Sequence, residues 1–159
     1  MNQDGKTKGI TMPSGDAQVT LMKSVYQKAG LDPSETGYIE AHGTGTKVGD
    51  PIEAAALHQV FGEGRTKRQP LFVGSVKSNI GHLEGASGVV SVIKSAMMLE
   101  KGFVLPNCNF EKGNPKIPFD EWGMKVGITK LSLLSDTDVC LGADNAASVA
   151  SRQEICQHQ

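Results

Sequence analysis

The sequence has few of the features that mark nucleic-acid-binding or membrane proteins. Its 159 residues carry a formal net charge of −1, with acidic and basic residues interspersed. That distribution lacks the basic patch that a nucleic acid or an anionic membrane attracts. No run approaches the roughly 20 apolar residues of a membrane-spanning helix, and the polar N-terminus lacks the apolar core of a signal peptide. We therefore expect a cytoplasmic protein that binds neither nucleic acid nor membrane.

Cysteine is scarce as well. The three cysteines are Cys108, Cys140 and Cys156. An odd number of widely separated cysteines does not make a disulfide framework, and their spacing matches no zinc motif. We expect all three to be reduced thiols.

The sequence does contain alternating strand and helix patterns. The stretch "GDAQVTLMKSVYQKAG" has apolar residues at helical spacing and predicts a helix from about Asp16 to Ala29, ended by Gly30. The short runs "GYIEAHG" and "PLFVGSVKS" predict strands, and "GDPIEAAALHQVFG" between them predicts a helix with Asp50 as its cap and Pro51 at its first position. This β, α, β order predicts an α/β fold.

A later helix has no polar face. In "GASGVVSVIKSAMMLEKG" small and apolar residues surround nearly the whole helix, and Lys94 is the only charge before Glu100. Such a pattern predicts a helix that is buried on most sides, as in the middle layer of a large α/β protein. A chain of this length has few elements with which to cover that helix, so we expect it to be part of a larger fold.

Three ionisable residues follow the two predicted strands. His42 ends the first strand in "YIEAHGTGT", and the second strand leads into "VGSVKSNIGHLEGASG", which carries Lys77 and His82. Parallel strands present such residues at one carboxyl edge, where open α/β sheets bind ligands. A lone histidine more often satisfies a hydrogen bond than performs chemistry, but two histidines and a lysine at one edge favour a functional site.

Two other kinds of site are weaker alternatives. "GTGTKVGD" matches neither phosphate-binding glycine spacing, which argues against a nucleotide site. A metal site could in principle use His42, His82 and either Glu40 or Asp50. No helical metal-ligand spacing occurs, however, and a lysine would sit among the ligands. We therefore expect no metal.

The stretches "EAHGTGTKVGDPIEAAAL" and "VGSVKSNIGHLEGASG" resemble the two histidine motifs of the β-ketoacyl synthase domain, most closely those of modular or iterative polyketide synthases of the fungal kind. The resemblance extends over residues 1–126. It implies the second, C-terminal half of a thiolase-like α/β fold, a mixed sheet with a buried central helix. The apolar helix is then explained, because the missing first half would cover it.

The resemblance also implies a chemistry. In that family a cysteine of the first half takes up an acyl chain as a thioester, and two histidines assist decarboxylation of a malonyl thioester whose carbanion attacks it. His42 and His82 match the histidines, and Lys77 matches the lysine that supports them. Thr44 and Thr46 match threonines that hold the pantetheine arm, although hydrogen bonds within their loop explain them equally well without the family.

The implied partners are the missing N-terminal ketosynthase half, an acyl carrier protein and a second copy in a ketosynthase homodimer. No cofactor is expected to bind directly, since phosphopantetheine arrives on the carrier protein. None of the three cysteines has the setting of the family's nucleophile, so we expect the isolated chain to be inactive. The alternative is a non-catalytic module that binds acyl groups or the carrier protein.

Residues 127–159 do not resemble the family, which should close with a Gly-Phe-Gly-Gly type of loop. We expect this tail to be disordered or to arise from a gene-model artefact such as a retained intron. Sequencing the transcript across the codons for Lys125 to Leu131 tests the artefact hypothesis, which an intact, correctly spliced frame would exclude.

Overall fold

The computed structural model describes residues 7, 9 and 12–129, together with three short strands at 131–132, 138–141 and 149–150. The other positions of the predicted tail lie outside the described residues. The strands are β1 Thr36–Glu40, β2 Leu71–Gly74, β3 Phe103–Val104, β4 Met124–Val126, β5 Leu131–Ser132, β6 Asp138–Leu141 and β7 Val149–Ala150.

Five of these strands form one mixed sheet in the order β4-β2-β1-β6-β7. The first four are parallel to one another, and β7 runs antiparallel to β6. The remaining two, β3 and β5, pair separately and antiparallel. The predicted α/β fold with a mixed sheet is confirmed, and the two strands predicted on either side of a helix are parallel neighbours.

In the described part of the chain four α-helices accompany the sheet: α1 Gly15–Ala29, α2 Gly49–Phe61, α3 Lys77–Ile80 and α4 Ser87–Lys101. The predicted first helix is confirmed to within one residue. Ser14 caps it by accepting the amide of Ala17, and Gly30 ends it in the left-handed conformation that glycine adopts at low cost. Among the described residues no helix is long and apolar enough to cross a membrane.

The predicted capping role of Asp50 is wrong. The helix begins at Gly49, and Val48 occupies the cap position without a side-chain hydrogen bond. The Asp50 carboxylate instead accepts the amides of Gly45 and Thr46, each at 3.1 Å. Those two amides belong to the preceding loop, so Asp50 secures the loop that carries the glycines and threonines.

The two faces of the sheet pack against different helices. Because side chains alternate along a strand, Ile39 lies in the core with α1 and α2, whereas Tyr38 packs with Met98 and Leu99 of α4. Glu40 is two residues beyond Tyr38 and so faces α4 as well. The sheet is thus a middle layer between α1 and α2 on one side and α4 on the other.

Helix α4 is only half covered. Met98 and Leu99 are each 1% exposed, whereas Val89, Ile93 and Met97 on the other side of the helix are 62%, 51% and 52% exposed. The burial on most sides that the sequence predicts is therefore not achieved within the described part of the chain. The cover for this apolar face has to come from beyond it, as the half-domain interpretation requires.

Candidate active site

The carboxyl edge of β1 and β2 brings the predicted site residues together. Glu40 is in register with Gly74, and the amide of Ala41 donates to the Gly74 carbonyl at 2.7 Å. The segments that leave the two strands are joined by Ser75, whose hydroxyl donates to the His42 carbonyl and accepts the Lys77 amide, both at 3.3 Å. The parallel register therefore sets the spacing between the His42 loop and the start of α3.

The side chains of His42 and His82 meet at this edge. Their ring centroids are 5.5 Å apart and the rings are nearly perpendicular, at 87°. Forty residues of sequence separate them, including α2, β2 and α3. Their predicted convergence is a feature of the structure.

Two donors define the tautomer of His82. Its Nδ1 accepts the amide of Glu84 at 3.0 Å and lies 3.0 Å from the Ser87 hydroxyl. That hydroxyl oxygen accepts the Leu83 amide, which leaves its proton for Nδ1. An N–H can only donate, so Nδ1 carries no proton and a neutral His82 bears its proton on Nε2. His82 itself is exposed within the described part of the chain.

The backbone at Glu84 serves this hydrogen bond. Glu84 has a φ of 46°, in the left-handed region that a residue with a side chain rarely adopts. The turn directs its amide back towards His82, two residues earlier. Ser87, the first residue of α4, is 5% exposed, so both donors to Nδ1 have fixed positions.

The loop after His42 is held by a buried carboxylate. Glu53 of α2 accepts the amides of His42 at 2.7 Å and Gly43 at 3.0 Å. Burial raises the pKa of Glu53 above its usual value, and the two amide bonds only partly oppose that rise. Gly43 has a φ of +51°, and a Cβ there would lie 2.8 Å from the Ser75 Cβ. Glycine is therefore required where the loop passes β2.

The two predicted pantetheine-binding threonines lie in this loop. The hydroxyl oxygen of Thr46 accepts the Gly49 amide at 3.0 Å. This is a hydrogen bond within the loop, the other explanation that the sequence offered for Thr46. A hydroxyl that accepts one bond still has a proton to donate. Thr46 is exposed and Thr44 is half-buried, so neither is sealed inside the protein.

Lys77 is the first residue of α3 and its side chain is half-buried. Its amide bonds Ser75 and its carbonyl accepts the amide of Gly81. These contacts place the backbone of Lys77 at the same edge as both histidines.

A buried ion pair beside the site was not predicted from the sequence. The Nζ of Lys94 in α4 lies 2.6 Å from Glu40 Oε2 and donates to the Tyr38 hydroxyl at 2.9 Å. The signal was present, since a lone lysine in an apolar helix is almost never buried without a partner. Glu40, named above as a conceivable metal ligand, is fully engaged in this pair. Among the described residues, no group of three or more His, Cys, Asp or Glu side chains is placed to hold a metal.

Fold and site together define an α/β domain that presents two histidines at one sheet edge and leaves one face of its central helix uncovered. Residues 1–111 match the family model described as the C-terminal domain of β-ketoacyl synthase. The chain belongs to this enzyme family.

The relatives are polyketide synthases. The chain is 69% identical over 126 residues to highly-reducing polyketide synthase 1 of Aureobasidium melanogenum and 66% identical over 125 residues to highly reducing polyketide synthase tstA of Talaromyces stipitatus. Each alignment covers 79% of this chain but only 6% and 5%, respectively, of the relative's length. The chain thus spans only a small part of the length of these relatives.

Solved ketosynthases share the fold. The ketosynthase from module 1 of the bacillaene synthase of Bacillus amyloliquefaciens FZB42 superposes with a TM-score of 0.86 at 34% identity, over 94% of this chain and 28% of that one. The module 6 ketosynthase of Bacillus subtilis 168 gives a TM-score of 0.80 at 39% identity, over 88% and 26%. The predicted thiolase-like half-domain is confirmed.

Proposed function

We propose that this chain supplies the histidine-bearing half of a β-ketoacyl synthase, an acyltransferase that condenses an acyl thioester with a malonyl thioester on a carrier protein during polyketide synthesis. The observation that carries the proposal is the pairing of His42 with His82 while Nδ1 of His82 accepts two hydrogen bonds. That arrangement leaves an Nε2–H donor on a neutral imidazole. Such a donor suits a reaction in which negative charge develops on a thioester oxygen.

The first step that these residues serve is decarboxylation. The bond between the malonyl carboxylate and its methylene carbon breaks, CO₂ leaves, and the electron pair enters the enolate of the remaining thioester. The Nε2–H of His82 donates to the developing enolate oxygen. His42, whose ring lies next to that of His82, stabilises the same negative charge. Lys77 positions the pair from the start of α3.

The second step joins the two acyl groups. The enolate carbon attacks the carbonyl of an acyl group held on a cysteine, a C–C bond forms, and the C–S bond to that cysteine breaks with release of the thiolate. Cys108 does not suit this role. It is exposed on the loop after β3, and its Sγ accepts a hydrogen bond from the side-chain amide of Asn79 at 2.9 Å. The nucleophile therefore comes from the first half of the domain.

The partners follow from this chemistry. The malonyl group arrives on the phosphopantetheine arm of an acyl carrier protein, which Thr44 and Thr46 bind through their hydroxyls. The uncovered face of α4 packs against the first half, and two completed domains form the ketosynthase homodimer. In this proposal residues 1–126 form the part of the half-domain that resembles the family, and the segment 127–159, which lacks that resemblance, contributes β6 and β7 to the same sheet. The enzyme works in the cytoplasm, where its cysteines stay reduced.

The test uses residues 1–159 produced together with the first half of a ketosynthase that carries the nucleophilic cysteine, hereafter the assembled domain. With an acyl thioester and malonyl carrier protein it should form β-ketoacyl product, whereas the chain alone should form none, because it has no suitable nucleophile. Product from the chain alone, or none from an assembled domain that has taken up the acyl group, would contradict the proposal.

A crosslinking pantetheine analogue on the carrier protein distinguishes the alternative. Should the assembled domain capture the carrier protein through Thr44 and Thr46 and still fail to condense, the chain is a carrier-binding module rather than half of a synthase. Alanine at both threonines should reduce capture, and alanine at Thr20, an exposed threonine in α1, serves as the control.

A further inference from the structure

The carboxylate of Glu40 contacts the turn that leads into Lys77 and the helix α4 that follows His82. It lies two residues before His42. Its Oε1 accepts the amide of Val76 at 2.5 Å, directly before Lys77. Its Oε2 is 2.6 Å from Nζ of Lys94, two helical turns along α4 from Ser87, which contacts His82. One side chain thus connects β1, the β2–α3 turn and α4.

The network is sealed from water and internally satisfied. Glu40 is 1% exposed and Lys94 7%. The Tyr38 hydroxyl accepts a hydrogen bond from Lys94 and donates one to Glu40 at 2.5 Å, so the ammonium, the hydroxyl and the carboxylate form a closed triangle. Burial and the neighbouring carboxylate raise the pKa of Tyr38 well above its usual value, and its hydroxyl therefore stays a donor.

Stability alone does not account for such a pair. Removing two opposite charges from water carries a solvation cost that their attraction recovers only when the geometry is good, and apolar replacements of similar volume are often as stable. The cluster of Met98, Leu99 and Val104 on this side of the sheet shows that apolar side chains fit here. What apolar contacts cannot do is fix the direction and distance between a strand end, a turn and a helix.

We propose that Glu40 and Lys94 are positioning residues of the condensation reaction, which hold the His42, Lys77 and His82 segments in their reacting arrangement without touching substrate. The proposal rests on the function proposed above. It predicts that loss of the pair slows the steps that use the histidines and leaves acyl loading on the cysteine unaffected, because loading needs neither imidazole.

The test compares three variants of the assembled domain. Lys94→Met removes the ammonium and keeps the stem, which leaves the Glu40 carboxylate buried without its cation. Glu40→Gln/Lys94→Met removes both charges and keeps an oxygen that can accept the Val76 amide. Lys101→Met is the matched control, since Lys101 is an exposed lysine of the same helix that forms a surface ion pair with Glu100.

Acyl loading, malonyl decarboxylation, condensation and the thermal midpoint are measured for each variant. We expect Lys94→Met to lower the condensation kcat at least about tenfold, the scale of a lost positioning contact, with KM and loading within about threefold of the unsubstituted domain. The double variant should regain most of the thermal midpoint and stay slow, because the ion pair that fixes α4 against the end of β1 is then gone. Lys101→Met should change none of these values.

Several results would overturn the positioning role. A double variant that regains both stability and condensation shows a structural pair only. A double variant that cannot fold would show that the pair is needed for folding rather than for positioning. If Lys94→Met has the same loading, condensation and thermal midpoint as Lys101→Met, the pair has no role in the reaction. These outcomes differ from failure of the proposed function, in which the unsubstituted assembled domain itself loads the acyl group and does not condense.

Discussion

The imidazole rings of His42 and His82 meet edge to face with their centroids 5.5 Å apart. The two residues reach this position from different directions, His42 from the end of β1 and His82 from the turn that precedes α4. Their contact depends on the parallel register of β1 with β2 and on the hydrogen bonds of Ser75 across the two loops. The site is therefore a product of the fold rather than of one contiguous motif.

The orientation of His82 should depend measurably on Ser87. Ser87→Ala removes one of the two donors to Nδ1 and keeps the Glu84 amide. A hydrogen bond of this kind contributes on the order of 1 kcal/mol, so condensation kcat of the assembled domain should fall about threefold to tenfold with KM unchanged. Ser91→Ala is the control, because the Ser91 hydroxyl donates to the backbone carbonyl of Ser87, which both alanine substitutions keep. Equal effects of the two substitutions would show that Ser87 does not orient His82.

The raised pKa of Glu53 predicts a pH dependence of stability. A carboxyl whose pKa is higher in the folded state than in the unfolded state contributes stability that is fully present below the unfolded pKa and is lost as pH rises through the folded value. Glu53→Gln cannot ionise, so the free energy of unfolding of the unsubstituted assembled domain, minus that of the variant, should fall as pH rises above about 4.5. Urea unfolding at a series of pH values measures this difference.

The lost carboxylate contact does not obscure that result. The two loop amides bond different oxygens of Glu53, and glutamine replaces one of those oxygens with an NH₂ group that cannot accept, which shifts the whole difference curve by a constant amount. The ionisation of Glu53 instead changes the slope of the difference curve against pH. A difference that stays flat with pH would mean that the two amide bonds fully offset burial and that the pKa of Glu53 is not raised.

Gly43 and Gly45 form a matched pair for testing the loop. Both have a positive φ, +51° and +77°, but a Cβ would collide with Ser75 only at Gly43 and would meet open space at Gly45. Alanine should strain the backbone at both positions by roughly 1 kcal/mol. Gly43→Ala should in addition displace the His42 loop and lower condensation by tenfold or more beyond Gly45→Ala. Similar activities would show that the contact with Ser75 does not position His42.

The uncovered face of α4 predicts self-association of the isolated chain. Val89, Ile93 and Met97 are spaced one turn apart and are all more than half exposed, and an apolar patch of this kind promotes association. Sedimentation velocity should show oligomers or aggregates, and Ile93→Glu should reduce them. Lys28→Glu on α1 is the control for added charge. A monodisperse monomer with a cooperative thermal transition would count against the half-domain interpretation.

Local patterns in the sequence were sufficient to predict most of the elements. Helix α1, the two central strands and their parallel pairing follow from apolar spacing and from the β, α, β order. The convergence of His42 and His82 could be predicted because both follow strands that end at one edge. The resemblance to β-ketoacyl synthases then predicted the thiolase-like fold of which the chain forms one half. It also explained why one face of α4 is uncovered.

Interactions between distant side chains could not be predicted in this way. Lys94 was recognised as the only charge of its helix before Glu100, but its partner Glu40 is 54 residues away and becomes a neighbour only when α4 packs on the sheet. Asp50 has the sequence context of a helix cap, and only the path of the preceding loop reveals that it accepts two loop amides instead. The same holds for Glu53, whose position in α2 gives no sign of its bonds to His42 and Gly43.

The most direct test of the central claim separates loading from decarboxylation in His42→Ala and His82→Ala assembled domains, with His58→Gln as a control histidine that stacks on Trp122. Radiolabelled acyl transfer to the cysteine and release of labelled CO₂ from malonyl carrier protein are measured on each variant. We predict loading within about tenfold of the unsubstituted domain and decarboxylation reduced about a hundredfold or more, the scale of a lost oxyanion donor. Histidine variants that fail at loading and decarboxylate normally would contradict the account.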